Sequence, residues 1–244
     1  MFGRRQSKKL LKVWIDKYKM DGHKQGLSKV VTTNQAGLHE RLDEIVLRNL
    51  NNPFRKPIAD HTQVAFDQVT DWLKGRSAEL ILDSCCGIGE SSRHIASRHP
   101  EASVIAVDRS AHRLSKHENC FEGELDNLLF VRADLIDFWR LAVAAEWRLA
   151  KHYILYPNPY PKSAQVQRRW HASPVFSDLL NLGGELTVRS NWKLYIEEFV
   201  RALELSDHDS SVQLYNADQP MSAFERKYWE SGQQSWQCQV QLKI

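Results

Sequence analysis

The chain runs to 244 residues, 42% of them hydrophobic, with a net charge of +3; this suits one large α/β domain, alone or with an extension, and excludes a chain too polar to build a core. No apolar run approaches the ~18 residues of a membrane span, and no apolar stretch follows Met1-Phe2-Gly3-Arg4-Arg5, so neither an anchor nor a secretory leader is expected. Four Cys without paired ligand spacing (Cys85 and Cys86 adjacent, Cys120 and Cys238 alone) predict no metal and a reducing, cytoplasmic setting.

The first 30 residues carry nine Lys or Arg against two Asp, which leaves the rest of the chain net negative. A basic arm on a mildly acidic body predicts a polyanionic partner, RNA or DNA, or else a solubilising tail. Val13, Trp14 and Lys17 suit a short helix that Gly22 and Gly26 interrupt. A clearer helix is expected from Asn34 or Gln35, with Leu38, Leu42, Ile45 and Leu50 roughly one face apart, stopping before Asn52-Pro53. A second should occupy 60–74, with Val64, Val69 and Trp72 inward and Gly75 as its stop. Residues 1–77 thus read as a basic arm and helical extension, and 78–244 as the main domain.

From residue 79 strands and helices alternate, the pattern of an α/β, doubly wound, mostly parallel sheet. Strands are predicted near 80–84, 103–107, 127–132, 152–156 and 184–190, and helices near 90–98, 110–117, 135–149, 166–181 and 192–205. Strands at 210–215 and 235–244, joined by a long loop, complete seven as a terminal antiparallel hairpin. In the last, Trp236, Cys238, Val240, Leu242 and Ile244 alternate with Gln237, Gln239, Gln241 and Lys243, one buried face against one wet face.

The stretch Leu80–Ser92 organises this pattern. Its apolar run ends in Asp83, Gly87 and Gly89 permit a tight turn and close ligand approach, and the residues after them open a helix whose free N–H groups face the same crevice. That is the strand–turn–helix of a nucleotide-binding unit, with a bare structural turn as the alternative. Asp108 ends a second strand at the spacing of a ribose-binding carboxylate. Asp134, after the third, suits either a ligand or a helix N-cap. All three acids would ring one crevice at the carboxyl ends of the strands.

The fourth strand leads into Tyr156-Pro157-Asn158-Pro159-Tyr160-Pro161-Lys162, where three prolines stiffen the loop, fix the Asn158 amide and leave Tyr160 free to stack on a flat ring. Lys162, Arg168 and Arg169, with Trp170 and His171 beside them, suit phosphates and unstacked bases, or a solvated helix face. Ser190 and Asn191 follow the fifth strand into the same crevice. Ser222 and Glu225 lie in the hairpin's long loop, where Glu225 either reaches a substrate from above or pairs with Arg226 at the surface.

Together these stretches resemble the tRNA (guanine-N7)-methyltransferase family of class I, S-adenosyl-L-methionine-dependent enzymes, over about residues 78–244. The family's Glu/Asp-Ile-Gly-x-Gly-x-Gly turn is similar to Asp83–Gly89, its Phe-Pro-Asp-Pro-Trp-Pro-Lys loop to Tyr156–Lys162, and its Arg-Arg pair to Arg168-Arg169. Its Thr-Asp-Trp is similar to Ser190-Asn191-Trp192 and its Thr-Lys-Phe-Glu to Ser222–Glu225. The resemblance implies a seven-stranded Rossmann-like fold and a cytoplasmic enzyme that moves a methyl group from S-adenosyl-L-methionine to RNA, at a guanine N7 of tRNA. It implies Asp83, Cys85, Gly87 and Gly89 around the methionine end, Asp108 at the ribose and Asp134 at the adenine. Asn158 and Tyr160 would be catalytic and hold the acceptor, with Ser190, Asn191, Ser222 and Glu225 helping. Lys162, Arg168, Arg169 and the basic arm would take phosphates.

The departures bear on the substrate. Cys85 replaces the first motif glycine, while Asn158 and Asn191 stand for Asp and Ala223 for Lys where the family binds its base. Guanine's Watson–Crick edge presents N1–H and N2–H donors, which favour carboxylates, whereas an amide donates as well as accepts. Transfer to N7 removes no proton, so positioning suffices. Asn158-Pro159-Tyr160 is also similar to the Asn-Pro-Pro-Tyr loop of amino-methyltransferases. Three alternatives stand beside the main reading: a methyltransferase for an exocyclic amine or a small molecule, an inactive RNA-binding relative, and a nicotinamide dehydrogenase, which the missing third glycine disfavours.

Overall fold

The computed structural model describes residues 28–76, 79–120 and 125–243; the helix expected near Trp14 and nearly all of the basic arm lie outside them. Strands β1 (Leu80–Ser84) and β2 (Ser103–Asp108) are buried along their whole length, as strands covered on both faces are. They pair in parallel with each other, β2 with β3 (Leu128–Arg132), β1 with β4 (Lys151–Leu155) and β4 with β5 (Gly184–Ser190). β7 (Ser235–Leu242) runs antiparallel to both β5 and the short β6 (Gln213–Tyr215), giving the order β3-β2-β1-β4-β5-β7-β6. The winding reverses between β1 and β4, where such a sheet opens a crevice at its carboxyl edge.

Pleating divides the apolar side chains between two layers. Leu80 and Leu82 of β1, Ile105 and Val107 of β2 and Ile154 of β4 enter the larger core, which is completed by α1 (Leu42–Asn51), α2 (Asp60–Leu73), α5 (Leu135–Ala144), α6 (Phe176–Asn181) and α7 (Lys193–Glu204). Ile81, Val104 and Leu155 enter the smaller one beneath α3 (Glu90–Arg98). α4 (Ala111–Cys120) follows β2. Phe66 of α2 packs on Phe138 and Trp147, with ring centroids 5.3 and 5.0 Å away, so the helices before β1 share the sheet's own core.

Several elements differ from expectation for identifiable reasons. α1 begins at Leu42, because the residues before it are drawn across the domain: Thr33 Oγ1 donates to the Pro161 carbonyl (2.6 Å), and Asn34 Oδ1 accepts from Ser163 N (2.9 Å). α5 ends at Ala144, after which Glu146 takes φ 56° and Trp147 turns back into the core. The helix expected over 166–181 is broken into 3-10 turns at Ser163–Arg168 and Trp170–Ala172 followed by α6. Ser173, held extended (φ −72°, ψ 149°) by Pro174, and Arg169, extended at φ −76° and ψ 140°, make the breaks. The long loop before β7 contains α8 (Ala223–Glu230). In β7 the alternation holds from Cys238 to Leu242, but Gln237 is buried because its Oε1 accepts from the Arg189 guanidinium at 3.2 Å, and Trp236 is half-buried.

Candidate active site

After β1 the chain turns through Cys85 (φ 66°), Gly87 (φ 63°) and Gly89 (φ 81°), all left-handed. Glycine adopts this shape freely, whereas an L-residue such as Cys85 loses about 1–2 kcal/mol. The backbone of the glycine turn therefore survives the substitution. Asp83 is fully buried and accepts the Ser91 and Ser92 hydroxyls at 2.8 and 2.6 Å, tying the first turn of α3 to the end of β1. Burial outweighs those bonds and pushes its carboxyl up to about 6. Asp108 Oδ2 accepts from Gly87 N and Arg113 Nη1, each at 3.1 Å, and its Oδ1 from Ser110 N at 2.7 Å. A carboxylate offers about four lone-pair sites, so one more donor can be taken. Asp134 does cap α5, accepting from Ile136 N at 2.9 Å.

A cavity of about 650 Å³ opens beside these carboxyl ends. Cys85, Asp108 and Asp134 wall one part, and Asn158, Tyr160 and Arg168 another. Two tyrosines of the proline loop, Tyr156 (φ 51°) and Tyr160 (φ 45°), are also left-handed; such strain costs on the order of 1–3 kcal/mol per residue and gathers at functional sites. Tyr156 is pinned from beneath, since its phenol donates to Glu225 Oε1 at 2.8 Å and meets Ser235 Oγ at 2.6 Å. Burial, reinforced by the Glu225 charge, pushes that phenol up and keeps it protonated. Glu225 also takes Arg189 Nη1 (2.7 Å) and Met221 N (2.5 Å). Ser222 caps α8 by accepting from Glu225 N at 3.2 Å, and α8 brings Phe224 and Tyr228 to the cavity wall.

Not every residue singled out in the sequence meets there. Asp83, Gly87 and Gly89 build the turn without lining the cavity, and Lys162 is exposed outside it. Arg169 is a correction: it is fully buried, pairs through Nη1 with Glu198, and donates from Nη2 to Gln35 Oε1 (2.5 Å) and to the Tyr160 carbonyl (3.0 Å). With its guanidinium occupied inside the domain it holds no external phosphate, and its role is to brace the Tyr160 loop. Burial opposes charge on Glu198, yet His171 and Arg169 hold its carboxyl down to about 2; burial lowers His171 too, so the neutralising charge is that of Arg169. Glu225 is likewise corrected. It is a buried partner of Arg189 rather than a group above the substrate, and Arg226 pairs with Glu90 instead. Ser222 serves as a cap, and Ser190 is buried with its hydroxyl accepting from Trp192 N at 3.1 Å. Asn191 donates from Nδ2 to Gln233 Oε1 at 2.8 Å.

Arg113, Phe224 and Tyr228 also line the cavity and are not among the residues expected there. For the last two a signal existed: Ser222-x-x-Glu225 is a capping-box pattern, and Phe224 and Tyr228 stand four apart behind it. The lining suits S-adenosyl-L-methionine. Its volume lies in the range of cofactor sites, its strand-end acids match hydroxyl and amino donors, and Trp170, packed on Trp139 at 4.6 Å between centroids, offers a flat apolar wall.

A doubly wound seven-stranded sheet with a reversed last strand, and a strand-end cavity of this make-up, define a class I methyltransferase. Residues 77–238 match a family model described as putative methyltransferase, and the chain belongs to that family. It is similar to the tRNA (guanine-N(7)-)-methyltransferase of Nitrosospira multiformis, 28% identical over 66% of this chain and 73% of that one. It is also similar to the tRNA (guanine-N(7)-)-methyltransferase of Halalkalibacterium halodurans, 24% identical over 81% and 96%. An antibiotic related methyltransferase of solved structure shares the fold, with a TM-score of 0.52 at 14% identity over 78% of this chain and 97% of that one. Among the described residues no helix is long and apolar enough to cross a membrane, and no three His, Cys, Asp or Glu converge as a metal site.

Proposed function

We propose that this chain transfers the methyl group of S-adenosyl-L-methionine to guanine N7 in tRNA, in the cytoplasm. The observation that carries the reading is a cavity lined both by strand-end acids and by a rigid amide-and-tyrosine loop; the two relatives named above support the choice of base. The bound cofactor would supply an electrophilic methyl group on a sulfonium. Asp108 would take a ribose hydroxyl at its remaining lone-pair site, Asp134 the adenine amino group, and the Cys85–Gly89 turn the methionine end. Asn158 and Tyr160 would place the acceptor ring, Tyr160 by stacking and Asn158 by its amide. Arg168, exposed at the rim with its guanidinium carbon 5.8 Å from the Tyr160 ring centroid, would meet phosphate together with Lys162 and the basic arm. The domain at 78–244 would hold the chemistry, with the basic arm of the first 30 residues as its RNA-facing extension. N7 carries a lone pair and no proton, so no general base is required, and alignment of nucleophile with the methyl group is the chain's main contribution.

A second reading, transfer to an exocyclic amine, is favoured by one feature: the carboxylates lining the cavity, Asp108 and Asp134, stand on the cofactor side, while the acceptor side offers the Asn158 amide. Incubation with labelled S-adenosyl-L-methionine and total cellular RNA, followed by nucleoside mass spectrometry, separates the two. Label in 7-methylguanosine supports the proposal; label in an N-methylated amine replaces it with the second reading.

A further inference from the structure

The cavity carries more positive charge than its cofactor calls for. Arg109, Arg113 and Arg168 line it against two acids, Asp108 and Asp134. Among the described residues Arg113 is paired, its Nη1 on Asp108 Oδ2 at 3.1 Å, whereas neither Arg109 nor Arg168 forms an ion pair. S-adenosyl-L-methionine bears a sulfonium and an ammonium against one carboxylate, so it is itself a net cation. Like charges in one cavity repel, and two unpaired guanidinium groups do nothing to hold such a cofactor. They call for an anion that the cofactor does not supply. Their places in the fold say which kind. Arg109 is exposed and directly follows the last residue of β2, and Arg113 stands in the first turn of α4 with half of its side chain exposed. Arg113 spends one N–H on buried Asp108 and keeps the rest of its five-donor fork for water or a ligand. Arg168 stands instead with Tyr160, beyond β4. β1 lies between β2 and β4 in the sheet, so the two sets of cations rise on either side of the glycine turn, from strand ends about 10 Å apart. Anions spaced along a chain suit that arrangement, and the fork of an arginine fits a phosphate.

We propose that Arg109, with Arg113 beside it, forms a second phosphate subsite on the cofactor's side of the cavity. It takes a phosphodiester of the same RNA strand that Arg168 meets beyond β4, so the strand spans the cavity mouth across the adenosine end of the cofactor. The proposal rests on the RNA reading above but not on the choice of base.

The test compares wild type, Arg109→Gln, Arg168→Ala and the double variant for tRNA affinity over a salt series and for cofactor affinity by calorimetric titration. Arg148→Gln is the control, an exposed arginine just before β4 at the amino edge of the sheet, away from the cavity. Each lost phosphate contact should lower the slope of log K against log salt by about 0.7 to 1, and the double variant by about twice that. Arg109→Gln should lower kcat/KM for tRNA by roughly twofold to fivefold through KM, with kcat and cofactor affinity unchanged. Arg148→Gln should leave the slope alone. An unaltered slope in Arg109→Gln beside a lowered one in Arg168→Ala overturns the subsite and leaves the RNA reading standing. Weakened cofactor binding with an unaltered slope also overturns it and gives Arg109 to the cofactor. An equal loss of slope in Arg148→Gln makes the effect one of overall charge and overturns it as well. Wild-type tRNA binding indifferent to salt removes the RNA reading and the subsite together. A lowered slope in a protein that methylates another base retires guanine and supports the subsite.

Discussion

Replacing Glu198 by Ala should be among the most damaging single changes in this molecule. The carboxylate has no exposure and accepts from Arg169 Nη1, from His171 Nε2 (3.0 Å), and from Gln35 Nε2 and His39 N (each 2.9 Å). Alanine would leave a buried guanidinium without its counter-charge, and buried His171 and half-buried Gln35 and His39 without an acceptor. Breaking a buried pair by removing one partner costs about 3–5 kcal/mol. For a chain of this size each kcal/mol moves Tm by about 2–4 °C, so the drop should be on the order of 10 °C. Differential scanning calorimetry at pH 7 measures it, with Glu44→Ala as a control, since the Arg41–Glu44 pair is exposed and should leave Tm where it is. The double variant Arg169→Met/Glu198→Met, which removes both charges and keeps the volume, should lose less than Glu198→Ala alone. A Glu198→Ala protein within about 2 °C of wild type would refute the reasoning and return Arg169 to the surface as a phosphate ligand.

Other outcomes follow from the same geometry. Because the Glu198 carboxyl is held down at about 2 from an ordinary 4.5, its contribution should be intact above pH 4.5 and vanish as pH falls toward 2. Asp83 works in the opposite sense: its carboxyl is raised from 3.8 to about 6, so ionising it destabilises the fold as pH rises across that interval, and Asp83→Asn should remove that effect. Burial lowers His152 to about 3 and slopes wild type the opposite way, so the test is the difference between the two proteins: a wild-type minus Asp83→Asn stability difference that does not change between pH 4 and 6 would contradict this. Asp108→Asn should weaken S-adenosyl-L-methionine about 10- to 100-fold in calorimetric titration, the worth of a charge-assisted hydrogen bond; an unchanged Kd would remove Asp108 from the cofactor site. Arg168→Ala should reduce the slope of log K for tRNA against log salt by about one, and an unaltered slope would take Arg168 off the phosphate path.

The doubly wound sheet was legible because β1 and β2 are buried on both faces and so read as unbroken apolar runs, and because the acids and glycines that end them sit at fixed places on the sheet. The tail of β7 was legible for the opposite reason, its alternation of Cys238, Val240 and Leu242 with glutamines. What escaped was decided by contacts distant in sequence. Arg169 and Arg168 are identical in type and adjacent, yet one enters the core and the other stays exposed, because only Arg169 faces Glu198, 29 positions away. Glu225 escapes for the same reason, since its partners Tyr156 and Arg189 are 69 and 36 positions away. The expected helix at 166–181 failed locally, and Ser173-Pro174 was the signal for it.

The chemistry itself is most directly tested on a tRNA transcript in which every guanosine is replaced by 7-deazaguanosine, leaving the Watson–Crick edge and the exocyclic amine intact while N7 becomes C–H. With labelled S-adenosyl-L-methionine the unmodified transcript should accept label and the 7-deaza transcript none. Equal labelling of both would contradict transfer to N7.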